Sequence, residues 1–254
     1  MGLALDVSLE IVILMPEAFF TEPTTGYWQD LTDDVPSRFA TVPPYRFGYP
    51  VRLPDNRILV LPLRQLPTGD NAVASLIANQ ASHAVIAALA DHMAQQARAF
   101  GADVLVGLPT LGLAFAALVA ERLGHARYVP LGYSRKFWYD DALSEPVHSI
   151  TSPETGKRLR LDPNLLPLLD RRRIVLVDDA ISTGATAVAA VKMLQRIGAQ
   201  FAGVVVAMKQ TNRWEPAMEA LPVSPPVRAV YGCPLFRRGD EGWWPIAETQ
   251  PAIP

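Results

Sequence analysis

The chain has 254 residues, 50% of them hydrophobic and 19% charged, which supplies a large core and a polar exterior. Its 16 Gly and 23 Pro stay well below the roughly 25–30% combined share of low-complexity chains, and no apolar run nears the ~18 residues of a membrane span. A formal charge of −2 excludes a global electrostatic footprint for nucleic acid, and the single cysteine, Cys233, excludes an internal disulfide or a cysteine-based zinc site.

Residues 1–14 are apolar but carry Asp6 and Glu10, with no basic leader and no small-residue cleavage site. They read as part of a cytoplasmic protein rather than as a signal peptide. Residues 1–70 are dense in Pro and aromatics without a helical period, which predicts extended structure. Within them, residues 49–53 and 57–63 flank Pro54-Asp55-Asn56, a turn signal that predicts a β-hairpin. Asp70-Asn71 reads as a capping pair for one long helix over residues 72–100, closed by Gly101. A strand over 103–107, a helix over 112–123 ended by Gly124 and a strand over 126–130 follow. After a polar stretch the pattern returns as a strand over 174–177, a helix over 184–197 and a strand over 203–208. Short apolar strands alternating with helices predict an α/β fold, a parallel sheet with helices on both faces. Residues 222–254 are again rich in Pro and aromatics, so the two chain ends are expected to form one small subdomain beside a core at 71–221.

Chemistry concentrates in Ile174-Val175-Leu176-Val177-Asp178-Asp179-Ala180-Ile181-Ser182-Thr183-Gly184-Ala185-Thr186. An apolar strand ends in two carboxylates, and a small, hydroxyl-rich loop then opens a helix. In an open parallel sheet, ligands bind beyond the carboxyl ends of the strands, so both features face one crevice. Backbone N–H groups at the helix start, with the hydroxyls of Ser182, Thr183 and Thr186, make a phosphate cradle. Adjacent carboxylates repel phosphate and so belong to a polyol or a divalent cation. Together they predict a sugar phosphate, with its 5′-phosphate on the loop and its 2′ and 3′ hydroxyls near Asp178 and Asp179. A Walker A reading fails because Leu113 stands where that loop needs Lys, and no GxGxxG occurs.

These thirteen residues resemble, over their whole length, the phosphoribosyl pyrophosphate (PRPP) fingerprint of type I phosphoribosyltransferases, and the order of elements extends the resemblance over roughly residues 72–208. It implies the family's core with a hood from the chain ends and a β-ribbon flap at about 132–161. It also implies Mg²⁺-dependent transfer of phosphoribosyl from PRPP to a nitrogen heterocycle, most naturally a purine, with release of pyrophosphate. Asp178 and Asp179 would orient the ribose, with the metal near them directly or through water. The loop Gly107-Leu108-Pro109-Thr110-Leu111-Gly112 occupies the position of the family's pyrophosphate loop. Adenine and xanthine relatives usually carry a Glu near its second position and, in the adenine branch, an Arg before the Gly; Pro109 and Leu111 stand in this loop instead, which speaks against adenine as the base and leaves the pyrophosphate to backbone N–H groups at 110–113 and to groups elsewhere.

By position, Arg135 and Lys136 belong to the mobile catalytic loop and would face the pyrophosphate. Residues 146–152 alternate and, with residues 157–161, predict the ribbon. Trp243 and Trp244 are candidates to stack on a base, since relatives place the acceptor under the hood. The resemblance also implies a homodimer, while the charge balance and the short apolar runs argue against nucleic acid and membrane as partners. Two other readings compete: a PRPP-binding regulator without transferase activity, and transfer to an acceptor other than a nucleobase.

Overall fold

A computed structural model describes residues 19–147 and 156–253. The hairpin is present as β1 (Gly48–Arg52) and β2 (Ile58–Gln65), antiparallel with Gly48 opposite Pro62. Asn56 takes the left-handed conformation (φ 71°) that its side chain tolerates in a turn, and its N–H donates to the Leu53 carbonyl at 2.9 Å.

The long helix expected over residues 72–100 begins later. Asn71–Ala74 is instead a strand, β3, paired with β2 on one side, and a 3₁₀ turn at Ala78–Gln80 separates it from helix α1 (His83–Arg98). Ala72 and Ala74 are fully buried in this sheet, so the ladder overrides the helical preference of the Ala-rich run. The cap is therefore Ser82 rather than Asp70-Asn71: its hydroxyl accepts from the Val85 amide at 3.2 Å and donates to the Gln29 carbonyl at 2.7 Å.

The βα alternation then runs as expected: β4 (Val104–Gly107), α2 (Gly112–Arg122) and β5 (Val129–Pro130). The flap follows as β6 (Ser144–Pro146) antiparallel to β7 (Arg158–Arg160). The rest of the predicted ribbon, residues 148–155, lies outside the described residues, as does the expectation for residues 1–14. Next come β8 (Arg173–Ile181), α3 (Ala185–Arg196), β9 (Gln200–Gln210), the short α4 (Glu215–Glu219), β10 (Val227–Cys233), β11 (Leu235–Gly239) and β12 (Gly242–Ile246).

Two five-stranded sheets result. The parallel core has the order β10-β9-β8-β4-β5, and the antiparallel hood has the order β1-β2-β3-β11-β12. Described segments from both sides of the core meet in this sheet, where Tyr45 N–H donates to the Trp243 carbonyl at 2.9 Å. The expected boundaries shift in two places: β3 belongs to the hood, and β10, read from its composition as hood, is the edge strand of the core. Its Val227, Ala229 and Val230 are buried like any central strand, and aromatic density around them masked that pattern.

Successive residues of β8 face opposite sides. Val175 and Val177 pack with α1, α2 and the hood in one apolar cluster, while Ile174 and Leu176 pack with α3 in another. Close packing leaves no space at Gly203 on β9, where an added methyl would lie 2.4 Å from two ring carbons of the buried Phe100. Gly203→Ala is expected to cost about 1–3 kcal/mol, lowering the unfolding midpoint by ~2–4 °C per kcal/mol in thermal denaturation.

Candidate active site

Four buried apolar residues, Ile174–Val177, carry β8 through the sheet, and Asp178 and Asp179 follow them in its carboxyl-terminal half, ahead of Ala180 and Ile181. Asp178 is 9% exposed; its Oδ1 accepts the Asp179 N–H at 2.9 Å, and its carboxylate also accepts the backbone N–H of Gly112, the first residue of α2. Burial, and then the neighbouring Asp179 charge, push the Asp178 carboxyl well above its usual range. Burial raises that of Asp179 as well. Among the described residues, no Lys or Arg forms an ion pair with either.

The helix start sits this close because Gly112 has no side chain. A Cβ there would lie 2.5 Å from Asp178 Oδ1, 2.6 Å from its Cα and 3.0 Å from the Val177 carbonyl oxygen. Across the crevice, Gly184 adopts φ 77° with the backbone and Cβ of Trp214 3.4 Å from where its own Cβ would be, and α3 starts at Ala185. The amides of that first turn have no partner within the helix and point outward. Asp178 and the loop through Ser182, Thr183, Gly184 and Thr186 line one cavity of about 160 Å³, floored by Leu108, Val204 and Val206. The carboxylate and the hydroxyl loop expected to share a crevice therefore do so. Asp179 lies outside the lining of that cavity.

The other candidates are placed less directly. Leu108 anchors the 107–112 loop through its N–H to the Val177 carbonyl at 2.9 Å, and the Pro109–Thr110 peptide is cis. Arg135 pairs with Asp141 at 3.0 Å, an acid that Arg160 also holds at 2.9 Å, and Lys136 is exposed; neither lines the cavity. Trp243 is fully buried in the hood, edge-on to Phe19, and offers no face to a base. The alternation of β12 puts Trp243 inward and leaves Trp244, 40% exposed, as the open member of the pair. Sequence reading passed over Gly112 as a packing determinant, Trp214 behind Gly184, and Lys209. Lys209 is buried at the end of β9, in register with Ile181, with its Nζ donating to the Ala252 carbonyl at 2.9 Å. A lysine closing the apolar run 204–208 was the available signal for the last.

Residues 72–221 match the family profile described as "Phosphoribosyl transferase domain", more than half of the chain. The chain belongs to the phosphoribosyltransferase family. The matched segment holds both cavity walls, whereas β1, β2, β11 and β12 of the hood lie outside it. Similar curated proteins include the adenine phosphoribosyltransferase of Novosphingobium aromaticivorans, 36% identical over 118 residues that cover 45% of this chain and 60% of that one. That of Thermosynechococcus vestitus is 30% identical over 138 residues, covering 54% and 75%. The chain thus spans about three fifths of the first relative's length. Among solved structures, adenine phosphoribosyltransferase from Rhodothermus marinus aligns over 59% of this chain and 81% of its own, with 20% identity and a TM-score of 0.48.

Proposed function

We propose that this protein transfers the phosphoribosyl group of PRPP to a ring nitrogen of a heterocyclic base, a purine first among them, and releases pyrophosphate. The observation that carries this is the single cavity in which a strand-end carboxylate faces a hydroxyl-rich helix start. The names of the similar proteins support a purine acceptor.

In this reading the amides after Gly184, with the hydroxyls of Ser182, Thr183 and Thr186, donate to the 5′-phosphate. Asp178 and Asp179 accept hydrogen bonds from the ribose 2′ and 3′ hydroxyls. As the C1–O bond to pyrophosphate breaks, positive charge grows on the sugar ring, and two nearby carboxylates stabilise it. The base nitrogen attacks C1 and gives up its ring proton to water, and pyrophosphate departs with its electron pair toward the 107–112 loop, where Arg135 and Lys136 of the flap supply cations once Arg135 leaves Asp141. Trp244 is the hood residue available for stacking on the base. When bound, Mg²⁺ would supply charge neutralisation on the leaving pyrophosphate. Asp178 and Asp179 are the residues that would hold the ion, directly or through water, carboxylate oxygens being the donors a hard cation takes. No helix of the described residues is long and apolar enough to cross a membrane. A soluble cytoplasmic homodimer is part of the proposal.

The test is pyrophosphate release from PRPP and Mg²⁺ with purines, pyrimidines and orotate in turn. Base-dependent release names the acceptor. PRPP binding by calorimetry without release on any base favours the regulatory reading, which Pro109 and Leu111 in the pyrophosphate loop would explain. Absence of both sinks the assignment.

A further inference from the structure

The segment that carries Arg135 starts beside the pyrophosphate loop. Val129 and Pro130 of β5 lie in register with Val106 and Gly107 of β4, and the Leu131 N–H donates to the Gly107 carbonyl at 2.9 Å. Residues 131–141 and the 107–112 loop therefore leave neighbouring strands at the same, carboxyl end of the sheet. Four residues separate Leu131 from Arg135, at most about 13 Å of chain, so a guanidinium on its long arm can reach that loop. It is instead tied to Asp141 at 3.0 Å and lines no part of the cavity.

Arg160 of β7 builds the other half of this tie. Its backbone exchanges both hydrogen bonds with Gly132, at 3.0 and 2.8 Å, and its Nη1 holds the second oxygen of Asp141 at 2.9 Å. The Arg160 side chain is 11% exposed, whereas those of Arg135 and Asp141 are 60% and 59% exposed. Asp141 is thus fixed from the flap, and Arg135 is the loosely held member. The Arg160 hydrogen bond, with the charge of Arg135 added to it, holds the Asp141 carboxyl below its usual range, so it is an anion at neutral pH.

We propose that Asp141 competes with the pyrophosphate group of the substrate for Arg135: it is a latch, anchored by Arg160, that parks the guanidinium outside the cavity and releases it to a polyphosphate entering the cleft. The inference rests on the transferase reading above. An ion pair this exposed is weak, and a polyphosphate with several charges displaces it. The latch lowers the fraction of protein whose Arg135 is free, and apparent affinity falls by that fraction. After transfer the same carboxylate takes the guanidinium back, which favours departure of pyrophosphate.

The test measures binding of PRPP and of pyrophosphate, each with Mg²⁺, by calorimetry in wild type, Asp141→Asn, Asp140→Asn, Arg135→Ala and the double variant of Arg135 and Asp141. Asp141→Asn is expected to tighten both ligands about threefold, the size of an exposed ion pair read through the population of free Arg135. The gain should shrink as salt screens the pair. Damage to the fold does not produce a gain of affinity. Asp140→Asn makes the same change of charge one residue away, where the carboxylate caps the Ala142 N–H at 2.9 Å and forms no ion pair among the described residues. Asparagine caps equally well, and no change in binding is expected. Arg135→Ala is expected to weaken PRPP about tenfold, and Asp141→Asn should then add nothing. Unaltered PRPP binding in Arg135→Ala, or unaltered or weaker binding in Asp141→Asn, overturns the proposal. So does an equal gain in Asp140→Asn or on the Arg135→Ala background, either of which would mark a general effect of charge. A wild-type protein that binds neither PRPP nor pyrophosphate removes the transferase reading, and this inference with it, before any variant is compared.

Discussion

Gly112→Ala is expected to reduce PRPP affinity by about 100-fold while leaving a folded protein, because one methyl would displace the helix start that holds Asp178. The clash is with backbone and carboxylate: 2.5 Å to Asp178 Oδ1, 2.6 Å to Asp178 Cα and 3.0 Å to the Val177 carbonyl. None of these is the far end of a flexible side chain, so relief requires α2 to withdraw from β8. Withdrawal removes the Gly112 N–H from the carboxylate and carries the 107–112 loop with it, since that loop ends at Gly112. A buried charge then loses a donor, and the backbone groups assigned to pyrophosphate lose their register. Overpacking of this kind costs about 1–3 kcal/mol in stability, which a protein of this size survives. Calorimetry with Mg²⁺ and PRPP reads the affinity, and circular dichroism the fold. Gly26→Ala serves as the comparison: the nearest atom to its added methyl is an arginine Nη2 at 3.9 Å, and neither binding nor fold is expected to change. Equal PRPP affinity in Gly112→Ala and wild type would mean that the contact between α2 and Asp178 has no part in the site.

Gly112 also shows where sequence reading stops. The strand, the two acids, the hydroxyl loop and the following helix are contiguous in the chain, and local rules suffice to place Asp178 and Ser182 on one cavity. Gly112 lies 66 residues from Asp178, and only tertiary packing makes it a neighbour. The same distinction accounts for the misread helix start. Residues 72–74 have a helical composition, and pairing with β2 and with β11, more than 150 residues away, decides the matter. Trp243 and Trp244 are adjacent aromatics in sequence; strand alternation on β12 separates them into a core residue and an exposed one. Lys209 closes an apolar run that reads as strand filler, and its place beside Ile181 is legible only from register with β8.

Asp178→Asn and Asp179→Asn are expected to lower kcat/KM for PRPP by about 10²–10³-fold each, and to do so while stabilising the fold at neutral pH. The losses should be far from additive, because both acids serve one ribose. Stability follows from linkage. Burial raises both carboxyl pKa values in the folded protein above their unfolded values, most strongly for Asp178, where the Asp179 charge adds to burial. Between the unfolded and folded pKa values the folded state binds more protons than the unfolded one, so the stability of the wild-type protein falls as pH rises through that window. Above it, the cost of two buried, mutually repelling charges is fully present. Asparagine carries no such cost, so thermal unfolding at pH 7.5 should show a midpoint raised by a few degrees, at ~2–4 °C per kcal/mol, and the gain should vanish below the ordinary carboxylate range near pH 4. Catalysis runs the other way. PRPP needs the carboxylates as anions to accept from its hydroxyls, so wild-type binding is expected to weaken as pH falls through the raised values, an acid limb displaced upward from that of an exposed aspartate. Asparagine variants that lose both activity and stability at pH 7.5 would show instead that the pair is held ionised by partners that strengthen the fold. Opposite signs for the two properties would locate the strain of this protein in the pair to which the proposal assigns its chemistry.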